Sequence, residues 1–200
     1  MISRSSSPAP GALRVEAPSS LPDRAGALEQ GGLVEIERKF RVRGSPWLGL
    51  GRGSAFCQGY LPATGSVTVR VRVGGEKAWL TVKGPTQGIA RAEFEYAIPR
   101  ADGVALLAFC GDRIVEKTRY IWRESDSCFE IDVFEGRNAG LVVAEIELQH
   151  PEQSFARPEW LGEEVSLEAR YRNSELSVRP YSEWSSDPVS DSPDDSSSPP

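Results

Sequence analysis

Histidine occurs once in these 200 residues and cysteine three times. The lone His150 stands before Pro151 at the end of a strand-like run, the place of a turn or surface residue, so neither a Ser–His nor a Cys–His nucleophile is arranged for covalent chemistry. Cys57, Cys110 and Cys128 are odd in number, far apart, and show no Cys-x-x-Cys spacing. They read as free, mostly buried thiols of a reducing compartment. No apolar run approaches the roughly 20 residues of a membrane-spanning helix. The first 32 residues lack the apolar segment of a secretory signal. An excess of basic residues is also missing: 23 Lys and Arg face 29 Asp and Glu, for a net charge of −6. A generic nucleic-acid surface is therefore not expected. The glycines of Gly49-x-Gly51-x-Gly53 are not followed by Gly-Lys-Ser/Thr, so they form a loop and not a phosphate loop.

Composition divides the chain. Residues 1–32 are rich in Ser, Ala, Pro and Gly without apolar periodicity, and 185–200 are almost entirely Ser, Asp and Pro. Both are expected to be disordered, because neither buries enough apolar surface to offset chain entropy. The Ser-, Ala- and Arg-containing start has some likeness to an organellar transit peptide, but Glu16, Asp23 and Glu29 speak against it. A cytoplasmic location is expected, with organellar import left open. Residues 33–184 remain as one folded domain. The residues after Tyr181 hold Glu183, Asp187, Asp191, Asp194 and Asp195 and no base, and the first 32 residues balance, so residues 33–181 carry a net charge near −1. The domain is neutral as a whole while full of charges.

Those charges alternate. In Val34-Glu35-Ile36-Glu37-Arg38-Lys39-Phe40-Arg41-Val42-Arg43, a strand puts Glu35, Glu37, Lys39, Arg41 and Arg43 on one face and Val34, Ile36, Phe40 and Val42 on the other. Acids come first and bases second, an order that suits a divalent cation beside a polyanion. Seven further strands are expected at 55–61, 67–73, 77–83, 91–98, 113–123, 127–134 and 141–149. Their charged faces carry Arg70 and Arg72; Lys83; Arg91, Glu93 and Glu95; Lys117 and Arg119; Glu130 and Asp132; Glu145 and Glu147. Helices are expected over Arg100–Cys110 and around Ser166–Ser177. There is no βαβ alternation, which points to an antiparallel sheet. Two architectures compete. One is a sandwich with a solvated charged face. The other is a barrel whose charges line a water-filled lumen. Glu, Arg and Lys dominate these faces, with acids on the first, seventh and eighth strands and bases on the third and sixth, which favours the barrel.

The order of segments resembles the CYTH, or triphosphate tunnel metalloenzyme, superfamily. The Glu-x-Glu-x-Lys motif is Glu35-Ile36-Glu37-Arg38-Lys39. It is followed by Gln58-Gly59-Tyr60-Leu61, Val69-Arg70-Val71-Arg72, Leu80-Thr81-Val82-Lys83-Gly84, Glu93-Phe94-Glu95-Tyr96, Glu116-Lys117-Thr118-Arg119-Tyr120, Glu130-Ile131-Asp132-Val133-Phe134 and Val143-Ala144-Glu145-Ile146-Glu147-Leu148. Gly162-Glu163-Glu164-Val165 and Arg170-Tyr171-Arg172-Asn173-Ser174 look like the compact bacterial members. The resemblance implies an α+β fold, an eight-stranded antiparallel β-barrel or tunnel with a charged lumen and helices packed outside. It implies Mg²⁺ or Mn²⁺ held by Glu35, Glu37, Glu145 and Glu147 with Asp132 nearby. Phosphate would be bound by Lys39, Arg70, Arg72, Lys83, Lys117 and Arg119, and Arg91 joins them on its strand face. Lys39, Tyr60, Glu145 and Glu147 are the candidate catalytic residues; Glu145 and Glu147 point the same way and either can orient a water. Tyr60 is either a packing residue or a partner of Lys39 that tunes protonation.

The activity expected is hydrolysis of inorganic tripolyphosphate to pyrophosphate and phosphate. The alternatives are a nucleoside or thiamine triphosphatase, an adenylyl cyclase, and a polyphosphate-binding module without turnover. A homodimer is left open. Trp47, Trp122, Phe129, Phe134 and Trp160 are expected in the core or at its rim and not as a base-stacking platform.

Overall fold

The computed structural model describes residues 33–186; the disorder expected for 1–32 and for the end of the acidic tail lies outside the described residues. Nine strands form one antiparallel sheet: β1 (Leu33–Val42), β2 (Ser54–Leu61), β3 (Thr68–Gly74), β4 (Lys77–Lys83), β5 (Ala90–Ile98), β6 (Ile114–Glu124), β7 (Ser127–Phe134), β8 (Val142–Glu147) and β9 (Leu161–Glu164). Their order is β5-β4-β3-β2-β6-β7-β8-β1-β9, and an additional β5–β1 pairing closes the first eight into a barrel. The barrel reading is therefore the right one, and each of the eight expected strands is present.

Closure depends on β1, which divides its outer edge between two partners. Its first half pairs with β5, Glu35 opposite Arg91, while Glu37 and Lys39 stand opposite Glu147 and Glu145 of β8 on its other edge. Beyond the β5 contact, the free edge is taken by β9 and the segment after it: Phe40 faces Glu164, and the Val165 amide donates to the Lys39 carbonyl at 2.8 Å. Four residues are too few to show alternation, so β9 was not expected. Gly162 at its centre is needed for close approach, because a Cβ there would lie 2.8 Å from the Arg41 carbonyl oxygen.

Apolar side chains divide between the two surfaces of the wall. Outside β1, β7 and β8, Ile36, Phe40, Phe129, Ile131, Ala144 and Ile146 form a core that Trp47, Phe155 and Trp160 cover from the connecting segments. Inside, Tyr60, Val115, Phe134 and Val143 pack against Val165, Tyr171 and Leu176 and fill one end of the lumen. Trp47, Trp122, Phe129, Phe134 and Trp160 thus all serve packing, as expected.

The outside is less helical than expected. The helix α1 (Arg100–Leu107), continued by a 3-10 turn to Cys110, packs on β3 and β4. The second expected helix is broken. A 3-10 turn at Ala169–Tyr171 and one helical turn, α2 (Asn173–Leu176), are separated by the extended Arg172. Val165, Tyr171 and Leu176 are the residues this segment buries, and their spacing of six and five does not fit one helical face. The last 3-10 turn, Tyr181–Ser186, crosses the expected boundary at 184.

Helix α1 sits so close to the sheet that a Cβ on Gly103 would meet the Ala78 Cβ at 2.5 Å and the Val73 side chain at 3.2 Å. Gly103→Val is expected to lower stability by about 1–3 kcal/mol through overpacking, read as a lower urea midpoint with an unchanged slope.

Candidate active site

Cross-strand register decides which charges meet. Directly opposed residues of antiparallel strands share a face. The chain of opposed pairs runs Glu147–Glu37 and Glu145–Lys39 from β8 to β1, Arg91–Glu35 from β5 to β1, and Glu93–Lys83 and Glu95–Thr81 from β5 to β4. It continues through Thr81–Arg70 to β3, Arg70–Tyr60 to β2, and on the other side Glu145–Glu130 and Asp132–Arg119 through β7 to β6. All of these side chains therefore point into the barrel.

They enclose a cavity of about 680 Å³. Its wall includes Glu35, Glu37, Lys39, Tyr60, Arg70, Arg72, Lys83, Arg91, Arg119, Glu145 and Glu147, all expected. Two expected residues are not on that wall. Lys117 and Asp132 are fully buried behind it, joined to each other, and Asp132 also accepts from Arg119 Nε at 2.6 Å. Glu93, Glu95 and Glu130 line the cavity although they were not proposed as site residues; strand alternation had already put them on the same face. Ser166, Arg172, Asn173 and Ser174 also reach it from the C-terminal segment. The irregular backbone there leaves no periodicity to reveal them.

Nearly every charge in the cavity has a partner. Lys83 and Arg91 both donate to Glu35 at 2.8 Å, and Lys83 also meets Glu93 at 2.8 Å. Arg70 and Arg72 converge on Glu95 at 3.1 Å, with Thr81 donating to the same carboxylate at 2.8 Å. Lys39 lies between Glu145 and Glu37, 3.0 Å from the latter, while Arg119 reaches Glu145 at 2.8 Å and also pairs with Glu130. Among the described residues Glu147 has no ion-pair partner. Arg72 additionally lies over the rings of Trp79 and Phe56, 4.9 and 5.3 Å from their centroids.

These contacts set the protonation states. Burial pushes the Glu35 carboxyl up, but Lys83, a hydrogen bond with Glu93 and Arg91 outweigh it and hold the group at about 2. Burial likewise opposes ionisation of Glu145, and Lys39, Lys117 and Arg119 reverse it, keeping the carboxylate well below its usual range. Lys39 is raised: Glu145 and Glu37 overcome the cost of burial. Lys117 moves the other way, down to about 8, because burial and Arg119 outweigh Asp132. Burial brings the Tyr60 hydroxyl up to about 12 against the pull of Arg70, Arg91 and Lys39.

The donors available to a metal are carboxylate oxygens, which suit a hard divalent ion. Among the described residues no three carboxylate, His or Cys groups converge as a ready-made cage. Glu37 and Glu147 nevertheless stand directly opposite each other, a like-charge pair that is unfavourable unless a cation offsets it. An open set of one or two carboxylates is what Mg²⁺ uses when phosphate oxygens complete its coordination. The residues present fit such an ion. Glu35, Glu145 and Asp132 are each engaged by two cations, Glu37 by Lys39 alone, and Glu147 by none among the described residues.

Asp132 is first an architectural residue. Asp132→Ala leaves Lys117 and Arg119 facing each other without their shared carboxylate, and is expected to cost about 3–5 kcal/mol, measured by chemical unfolding. Glu147→Ala, which breaks no ion pair, is expected to shift stability by less than about 0.5 kcal/mol.

A family model described as the CYTH domain matches residues 33–181. The chain is 43% identical over 148 residues to an inorganic triphosphatase of Acetivibrio thermocellus, an alignment covering 74% of this chain and 95% of that protein. It is 37% identical over 150 residues to an inorganic triphosphatase of Nitrosomonas europaea, covering 73% and 98%. Among solved structures, it resembles the crystal structure of the inorganic triphosphatase NE1496 with a TM-score of 0.54 and 36% identity, over 72% of this chain and 97% of that one. With a closed barrel, a lumen of alternating acids and bases, and a family match over nearly all of the described residues, the chain belongs to the CYTH domain family.

Proposed function

We propose that this chain is a metal-dependent inorganic triphosphatase that hydrolyses tripolyphosphate to pyrophosphate and phosphate, with Mg²⁺ or Mn²⁺ as cofactor. The observation that carries this reading is the convergence of Lys39, Arg70, Arg72, Lys83, Arg91 and Arg119 on one cavity that also contains the opposed carboxylates Glu37 and Glu147. The names of the relatives support the same substrate.

Hydrolysis of a triphosphate requires that negative charge be neutralised on the phosphoryl and leaving oxygens. The guanidinium forks of Arg70, Arg72 and Arg119 bind phosphate oxygens in pairs, and Lys39 and Lys83 act as point charges. Before substrate arrives, the internal carboxylates hold these cations in place, so their reach is fixed before binding. Glu37 and Glu147 are the residues that would hold the divalent ion, with Glu35 nearby. The ion supplies further charge neutralisation and Lewis-acid polarisation of the phosphate chain. Glu147 is free to orient the attacking water. Glu145, bound by Lys39 and Arg119, holds those two cations at the phosphates. Tyr60 keeps its proton and acts as a neutral hydrogen-bond donor. Lys117 and Asp132 support Arg119 from behind.

Nothing in the cavity favours a nucleotide. Apart from Tyr60, the aromatic residues among the described ones lie outside its wall, so a base would find no stacking surface. A cyclase would release pyrophosphate from ATP and a triphosphatase releases phosphate. Purified protein given tripolyphosphate, ATP and thiamine triphosphate in turn is expected to release phosphate fastest from tripolyphosphate. Binding without release under any metal would reduce the chain to a binding module.

Turnover is expected to vanish in excess chelator and to return with Mg²⁺ or Mn²⁺; undiminished activity in chelator rules out the metal. Glu37→Gln keeps the shape and removes the charge. It is expected to lower the rate about a hundredfold or more, roughly 3 kcal/mol of transition-state stabilisation, with the melting temperature nearly unchanged and tripolyphosphate affinity largely retained. Arg70→Ala and Arg72→Ala are expected to weaken both turnover and anion affinity while the circular dichroism spectrum stays that of the parent. A wild-type rate in either variant removes that arginine from the site.

A further inference from the structure

Behind the cavity wall, Gln58 of β2 is completely buried. Its Nε2 donates to the Tyr60 hydroxyl oxygen at 2.9 Å. Among the described residues its Oε1 has no partner, and neither has Nε of Arg72, the residue directly opposite Gln58 on β3. We propose that Gln58 is a positioning residue: it occupies an acceptor site of the Tyr60 oxygen, so that the Tyr60 hydroxyl proton is directed into the cavity and donated to the triphosphate. The inference rests on the triphosphatase reading and adds to it the group that orients one of its donors.

The polarity of this short chain follows from donor counting. The NH₂ end of the amide faces Tyr60 and can only donate, while the oxygen end meets no donor among the described residues. The phenol oxygen then receives a hydrogen bond, and its own proton has to go elsewhere. The Tyr60 hydroxyl makes no second hydrogen bond among the described residues. The groups whose charges act on it are Arg70, Arg91 and Lys39, which cannot accept a proton, and Glu145, which Lys39 and Arg119 already engage. An anion in the cavity is the acceptor still missing. Burial, which raises the hydroxyl to about 12, keeps the proton available for it. A buried amide with one end unsatisfied is costly to retain for packing alone. The same volume could be filled by an apolar side chain at no such cost.

Two substitutions at one position separate the roles. Gln58→Met preserves volume and removes the hydrogen bond, leaving the hydroxyl free to rotate. Gln58→Glu, as a carboxylate, cannot donate; it accepts a hydrogen bond from the Tyr60 hydroxyl and so turns that hydroxyl away from the cavity. Relative to the parent, Gln58→Met is expected to lower kcat about fivefold and Gln58→Glu to lower it as far as Tyr60→Phe does, about tenfold or more, the scale of one hydrogen bond to a charged group. In a Tyr60→Phe background, Gln58→Met is expected to cost nothing further. An undiminished loss in that background, or a Gln58→Glu variant as active as the parent, overturns the proposal. Should Gln58→Met fail to fold, the Gln58→Glu comparison decides by itself.

The same double-mutant cycle is read a second time as tripolyphosphate affinity by calorimetry in chelator, where no turnover is expected. Coupling between positions 58 and 60 in affinity is expected there. If the parent protein does not hydrolyse tripolyphosphate, the triphosphatase reading fails while this cycle still tests the orientation of Tyr60. Additive effects on affinity, with no coupling, overturn it.

Discussion

A barrel lined with charges can exist only if those charges neutralise one another. Lys39, Lys83, Lys117, Asp132 and Glu145 are all buried, and an isolated ion of this kind costs several kcal/mol to remove from water even after relaxation. Pairing is thus a condition of folding as well as of function. The strand register supplies it: Arg91 stands opposite Glu35, Lys83 opposite Glu93, Lys39 opposite Glu145 and Arg119 opposite Asp132. A slip of one residue in any of these pairs would send charges outward and apolar side chains inward. Register is therefore specified from both faces of the wall, by Phe40, Phe129 and Ile146 outside and by the ion pairs inside.

In the proposed triphosphatase the same neutralisation would prepare the site for an anion. A cavity of cations alone would repel itself and collapse or fill with counterions, and its side chains would need reordering when substrate arrives. Here Glu35, Glu93 and Glu95 hold Lys83, Arg70 and Arg72 at fixed positions. In the proposed triphosphatase, a polyphosphate would replace these carboxylates as the partner without moving the cations far. Preorganised charge of this sort is what phosphoryl transfer requires, since reorientation during the reaction would take up the energy the contacts provide. The apolar residues share in this. Trp79 and Phe56 flank the guanidinium of Arg72, and Val115, Phe134 and Val143 fill one end of the lumen, where the Lys117 ammonium lies over the Phe134 ring.

Much of this was readable from residue order because strands have a period of two. Each of the eight barrel strands could be placed from alternation, and the alternation also put Glu93, Glu95 and Glu130 on the charged face before any contact was known. Burial depth was not readable. Lys117 and Arg119 have the same sequence character, yet the first lies behind the wall and the second on it. That difference arises from barrel curvature and from which end of the lumen Tyr171 and Leu176 fill. Both depend on contacts between elements far apart in the chain, such as β1 with β5 and β8, and no local pattern encodes them.

The C-terminal segment shows the limit most clearly. A helix over Ser166–Ser177 is reasonable on propensity, but the chain there has two tasks that one helix cannot perform. It must bury Val165, Tyr171 and Leu176 in the lumen end, and it must present Ser166, Arg172, Asn173 and Ser174 to the cavity. On a regular helix, Arg172 and Asn173 would lie beside Tyr171 in sequence but about 100° and 200° away around the axis. An extended Arg172 between two short turns places the aromatic ring in the core and the polar run on the wall. Tertiary packing outweighs helix propensity here because each broken turn forfeits only tenths of a kcal/mol per residue, whereas burying one large apolar side chain contributes about 1.5–3 kcal/mol.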